Sequence, residues 1–415
     1  MLPLLLAATL ATAPVPAPPA AAGPQIYARA DAGAPLTGLA VVVSAGTARE
    51  GAGQNGLAAL TAETLLMGRI DGVSLNDRVE AAGGAIDFVV TPSVVRFDIE
   101  LLPSAVPAVA AALAHAFAAP DTSAATVAAA RAALGSRIED DARNPIAVGL
   151  EMLRGSYYAG TAGAPSLGTR ASLVNLGPDD VAGFFAAHYR RATAFAGAVG
   201  SFDGAANDAV AAALAALPAG SEPDATLVTN PFGDQPKHVV AQRDIGVPFA
   251  LVGFAAPAMT DADFAPMLVL RALLDDVASR PSSTTLEPFE RGINVIYDYD
   301  VKPATFTVAI NGSRIDPSAG LTVLEAVVKT ATVKLNADVI SRYKATALGD
   351  WALEAQTLTD RAWQIGAAVN EGGTPDLAHG VATAIGAVTP ADVQRCVSTY
   401  LQRYTVALVL PRTRQ

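Results

Sequence analysis

At 415 residues the chain exceeds one ordinary domain of ~100–200 residues, so two domains are expected. With 51% hydrophobic and 16% charged residues, the composition excludes an intrinsically disordered chain. The formal net charge of −11 argues against a nucleic-acid-binding surface, which needs basic residues to meet phosphates.

The first segment, MLPLLLAATLATAPVPAPPAAAG, has an apolar run from Leu2 to Leu10, an Ala11-Thr12-Ala13 site and a Pro/Ala-rich spacer. It reads as a signal peptide with spacer over residues 1–24, which places the mature protein in the periplasm or outside the cell. A disordered Ala/Pro tail is the alternative. The apolar run is shorter than the ~20 residues of a membrane span, and no later segment is long and apolar enough. One cysteine, Cys396, permits no internal disulfide and leaves the compartment undecided.

From Pro35 the stretch PLTGLAVVVSAG reads as a strand. It is followed by Gly51-x-Gly53-x-x-Gly56, a helix from Leu57, a second helix closing at Gly83-Gly84, and the strand VVRFDIELL. In that strand Val95, Phe97, Ile99 and Leu101 alternate with Arg96, Asp98 and Glu100, the period of two that gives one buried face. AVPAVAAALAHAF and GAANDAVAAALAAL have helical spacing and high helix propensity. PAGSEPDATLVTNPFGDQPK is polar and rich in Pro and Gly, and reads as a linker over 216–236.

Beyond the linker the pattern repeats. Pro248 opens PFALVGFAAPA as Pro35 opens the first strand, and NVIYDYDV and FTVAI supply further strands. Pro178-Asp179-Asp180-Val181 and Pro390-Ala391-Asp392-Val393 each start a helix that ends at a tyrosine, Tyr189 or Tyr400, before an apolar strand. The separation is 212 residues from Pro178 to Pro390 and 213 from Pro35 to Pro248. Two anchors with nearly one offset indicate an internal duplication, with units at 25–215 and 237–415. The expected fold is α+β: two duplicated α/β sandwich domains, each a mixed, mostly antiparallel sheet with helices packed on one face.

The glycine pattern raises the possibility of a dinucleotide cofactor. That fingerprint needs glycines directly after a strand and an acidic residue ~20 positions on, at the end of the next strand. Here Thr47-Ala48-Arg49-Glu50 intervenes, and Asp77 and Glu80 lie in a helical stretch. A dinucleotide-binding enzyme working through Gly51–Gly56 is therefore a remote alternative.

GLAALTAETLLMG followed by LNDRVEAAGGAIDFVVTPSVVRFDIELL resembles the first domain of the pitrilysin/insulinase family of zinc metallopeptidases, the processing-peptidase-like inverzincins. The shared positions are Gly56, Leu57, Ala58, Gly68 and Gly83-Gly84. EDDARNP at 139–145, SLVNLGPDDVAGFFAAHYR and RGINV at 291–295 extend the resemblance over nearly the whole mature chain. It implies the duplicated sandwich fold. The family's H-x-x-E-H holds zinc between two histidines, with the glutamate as general base. Carried over, these positions hold Ala59, Ala62 and Glu63, and the third ligand falls on or near Arg137, with Glu139 close by. The zinc motif is thus expected to be lost, with no metal bound and no peptide hydrolysis by this chain alone.

His115, His188, His238 and His379 show no i+3 or i+4 pairing that would suggest another metal site, and no nucleophile elbow or Cys/His pair is present. The family's second-domain Arg and Tyr fall on Pro288 and Val295. Tyr297 or Tyr299, with Arg291 or Arg280, are candidate substitutes for substrate binding; the alternative is that both tyrosines pack on a half-buried strand.

Family members without zinc ligands pair with a catalytic sister around a peptide-sized chamber. The resemblance therefore implies a non-catalytic subunit of a heterodimeric peptidase complex that binds unfolded, extended peptide, zinc residing in the partner. A stand-alone homodimeric peptide clamp or assembly scaffold is the second expectation.

Overall fold

A computed structural model describes residues 25–220, 227–230, 237–279, 294–299, 301, 303–312 and 335–412. The signal-peptide segment, Arg280, Pro288 and Arg291 lie outside these residues.

The strands are β1 (Gln25–Ala30), β2 (Thr37–Val43), β3 (Arg69–Ile70), β4 (Val73–Ser74), β5 (Ala85–Val90), β6 (Val95–Leu101) and β7 (Phe195–Gly200) in the first half. The second half contributes β8 (Lys237–Arg243), β9 (Phe249–Ala256), β10 (Asn294–Asp298), β11 (Ala304–Asn311) and β12 (Thr405–Pro411). One five-stranded sheet has the order β1-β7-β2-β6-β5, and the other, read from its opposite edge, β8-β12-β9-β11-β10. In each, the first pair is parallel and the remaining pairs are antiparallel. The two halves therefore share one topology, strand for strand. β3 and β4 form a separate small ribbon.

The repeated Pro-x-Asp-Val segments start the helices Pro178–His188 and Pro390–Tyr400. Proline at the first helical position gives up a donor that has no intrahelical partner, and the aspartate closes the turn. The Asp180 carboxylate accepts from the Gly177 N–H at 2.8 Å, and Asp392 accepts from the Thr389 N–H at 2.9 Å. Each helix then delivers the chain to a central strand, β7 or β12.

Along β6, Val95, Phe97, Ile99 and Leu101 are buried against the helices of their own half. The opposite face, which the alternation alone leaves polar, is covered by the helix Leu358–Asn370 of the second half. The Arg96 guanidinium lies over the Trp363 ring at 4.4 Å and its Nε donates to Asp98 at 2.9 Å. Reciprocally, the helix Pro145–Tyr157 of the first half lies on the second sheet, where Val148 and Leu153 pack against Leu251, Ala309 and Val409. Each half so lends one helix to the other's sheet.

This exchange depends on close backbone approach. A Cβ at Gly197 of β7 would stand 2.2 Å from the Ala362 carbonyl oxygen, so only glycine fits under the crossing helix. Part of the linker region is also tied down: the Ala159 N–H donates to the Val228 carbonyl at 2.8 Å, and Tyr158 bridges Thr229.

Candidate functional site

The Gly51–Gly56 loop leads into the helix Leu57–Met67, whose first turn leaves backbone N–H groups without helical partners. Gly53 and Gly56 have φ of 82° and 91°, conformations that glycine adopts without steric cost. The folded-back loop carries Glu50 into the helix N-terminus, where its Oε1 accepts from the N–H groups of Gly56 and Ala58, both at 3.0 Å. The place a phosphate would take at such an N-terminus is thus filled by the chain's own carboxylate. β2, just before the loop, is antiparallel to both neighbours, so no parallel βαβ unit is present there. Burial pushes the Glu50 carboxyl up to about 7, against the pull of the backbone donors at Ala58, Gly56 and Leu57.

From Leu57 to Leu66 the helix is buried on every side. Ala59 and Ala62 are fully buried, and their methyl groups offer no donor to a cation. Glu63 is 6% exposed. Arg137, from the helix Ala124–Asp141, reaches across to it, with Nη1 3.6 Å from Glu63 Oε2. The same nitrogen is 3.0 Å from Asp87 Oδ1 on β5, and the guanidinium lies 4.6 Å from the centre of the Phe88 ring. Burial raises the Glu63 pKa, Arg137 works against that rise and Asp87 adds to it. Of the four positions that the resemblance singles out, Ala59 and Ala62 sit on one buried helix, while Glu63 and Arg137 meet as an ion pair. Glu139 faces elsewhere and pairs with Arg170.

These residues do not fit a zinc ion. Two of the four side chains are methyl groups, and the guanidinium of Arg137 would repel a divalent cation. Among the described residues no group of three or more His, Cys, Asp or Glu is arranged to hold a metal. His115, His238 and His379 are exposed, and His188 packs against Phe184 with ring centres 4.6 Å apart.

Tyr297 is 5% exposed, its hydroxyl donates to the Pro257 carbonyl, and its ring packs among Phe264, Phe306 and Tyr299. Its place is in the aromatic core of the second half. Half-buried Tyr299, just past β10, donates to Glu354 at 3.2 Å and packs on Trp351. Their candidate cationic partners, Arg291 and Arg280, both lie outside the described residues. The sequence reading did not identify Glu50. Its signal is its position: an acidic residue just before a glycine loop that opens a helix.

No protein-family model matches the sequence, and no curated protein matches it. Among solved structures, the fold is similar to a protease from Helicobacter pylori, with a TM-score of 0.79 and 14% identity, covering 94% of this chain and 97% of that one. It is similar to a peptidase M16 inactive domain from Pseudomonas fluorescens, with a TM-score of 0.77 and 14% identity, covering 95% and 97%. A chain of complex III2 from Candida albicans gives a TM-score of 0.77 at 15% identity, covering 93% of each chain. At such identities the likeness establishes the fold alone: the chain shares the two-sheet α+β arrangement of these structures over nearly its full length.

Proposed function

We propose that this protein is a non-catalytic member of the pitrilysin-like peptidases, exported to the periplasm, and that it forms half of a clamshell chamber with a zinc-binding catalytic relative. The observation that carries this reading is the Glu63–Arg137 pair beside Ala59 and Ala62. Two positions that would ligate a metal instead neutralise each other, while the surrounding frame remains intact. Such a frame supports binding without hydrolysis.

β5 is an outer strand of its sheet; it carries Asp87, which pairs with Arg137. An extended peptide can add to an edge of this kind through main-chain hydrogen bonds. In the chamber, the peptide would lie along β5 while the partner supplies zinc, water activation and bond cleavage.

The test uses the purified mature chain, assayed for zinc content and peptidase activity, alone and then mixed with a relative encoded by an adjacent gene and bearing an intact H-x-x-E-H. Activity that the mixture shows above the relative alone, with zinc tracking the relative, supports the subunit reading. Stoichiometric zinc and unaided cleavage by this chain would sink it. A stable homodimer that binds extended peptide, with no activity in any mixture, would favour the scaffold instead.

A further inference from the structure

A cleft of about 470 Å³ opens between the two halves, on elements other than those around Glu63. Arg29 of β1 and Asp31 just beyond it form one wall. Trp351, Arg361, Gln364 and Ile365, from the helices Ala337–Leu353 and Leu358–Asn370, form the other. The volume is in the range of small-ligand pockets, ~300–1,000 Å³.

Its chemistry is mixed in an ordered way. Trp351 and Ile365 are buried and apolar. Arg29 and Arg361 are exposed at the rim, and neither forms an ion pair among the described residues. Arg361 uses its Nε to donate to the Ala355 carbonyl at 2.9 Å, which fixes the side chain at its base. Gln364 is 8% exposed, and its Nε2 is buried beside the cleft with no hydrogen-bond partner among the described residues. A buried donor left unmatched costs free energy, which a ligand acceptor would recover. Two guanidinium groups near one carboxylate, with the His379 imidazole also in the lining, make a locally cationic spot on a chain of net charge −11.

We propose that this cleft binds a small zwitterionic carboxylate of dipeptide size. The guanidinium groups of Arg29 and Arg361 take the carboxylate by charge-assisted hydrogen bonds. Asp31 takes the ammonium, and an apolar side chain lies on Trp351 and Ile365. The acidic member of the rim disfavours a phosphate dianion and favours a ligand that carries both charges. The site is independent of any catalytic partner, so it stands or falls apart from the subunit reading.

The test is calorimetric titration of the purified chain with alanyl-leucine, its C-terminal amide and inorganic phosphate. Alanyl-leucine is expected to bind, and the amide to bind roughly tenfold more weakly or worse, the loss of one charged anchor. Arg361→Ala and Arg29→Ala should each weaken the dipeptide by a similar factor, with folding checked by thermal melting. Phosphate should compete poorly. Equal binding of acid and amide, full affinity in both arginine variants, or no binding at about 10 mM dipeptide would each overturn the proposal.

Discussion

Arg137 Nη1 stands 3.6 Å from Oε2 of Glu63, joining the helix Ala124–Asp141 to the buried helix Leu57–Met67. Glu63 is almost sealed from water, whereas the Arg137 side chain is 36% exposed, so solvent screens one end of the pair and not the other. The pair therefore matters mainly through what happens to the buried acid when the cation is removed.

Arg137→Met should lower stability by about 1–3 kcal/mol at pH 8, less than for a fully buried pair because Arg137 is partly solvated. Glu63 already has a raised pKa, and losing its cation raises it further. An acid that holds its proton more tightly when folded loses stability as pH rises from the unfolded pKa through the folded one. The cost should accordingly shrink toward pH 5. In the double variant with Glu63→Leu most of the loss should return; urea midpoints at both pH values decide this.

Glu50→Gln isolates the second buried carboxyl. The pKa of Glu50 is raised to about 7 by burial, so ionising it destabilises the fold progressively between about pH 4.5 and pH 7, and the cost is level above that. The amide still accepts from Gly56 and Ala58 but cannot ionise. The variant should match the parent near pH 4.5 and exceed it at pH 8 by up to about 3 kcal/mol. Parallel urea curves with no gain at pH 8 would refute the assignment.

Rebuilding the zinc site tests the correspondence drawn from the resemblance. The combination Ala59→His, Ala62→Glu, Glu63→His and Arg137→Glu is expected to bind one zinc ion, measured by metal analysis after dialysis, at some loss of stability. Enlarging two fully buried alanines should cost about 1–3 kcal/mol each. A folded variant that takes up no zinc would show that these four positions do not correspond to a metal site.

Gly197→Ala should destabilise the protein by about 2–4 kcal/mol, because the new methyl group meets the Ala362 carbonyl of the exchanged helix. A backbone atom cannot turn aside as a flexible side chain can, so the helix must lift from the sheet. A thermal melt within error of the parent would refute the tight crossing.

The duplication was legible because Pro-x-Asp-Val and the apolar strands are local signals. Proline at a helix start and a period of two are set by neighbouring residues, and both halves carry them at one spacing. The alternation in β6 likewise marked Val95, Phe97, Ile99 and Leu101 as a core face, and all four are buried. That same alternation misled about Arg96 and Asp98. Their polarity suggests solvent, yet Arg96 lies over Trp363, more than two hundred and fifty residues away in sequence, and Asp98 pairs with Arg96.

The sequence by itself determined the two α+β units, the succession of their strands and helices along the chain, and the presence of Ala59 and Ala62, side chains with no donor for a cation, on the helix after Gly56. These follow from local propensity, period and residue identity. Only the tertiary structure decided that Glu63 and Arg137 touch, that Glu50 fills the glycine loop, that Tyr297 is a core residue, and that each half lays a helix on the other's sheet. Those facts depend on contacts between distant segments, and the register and approach of packed elements are fixed by the fit of whole surfaces.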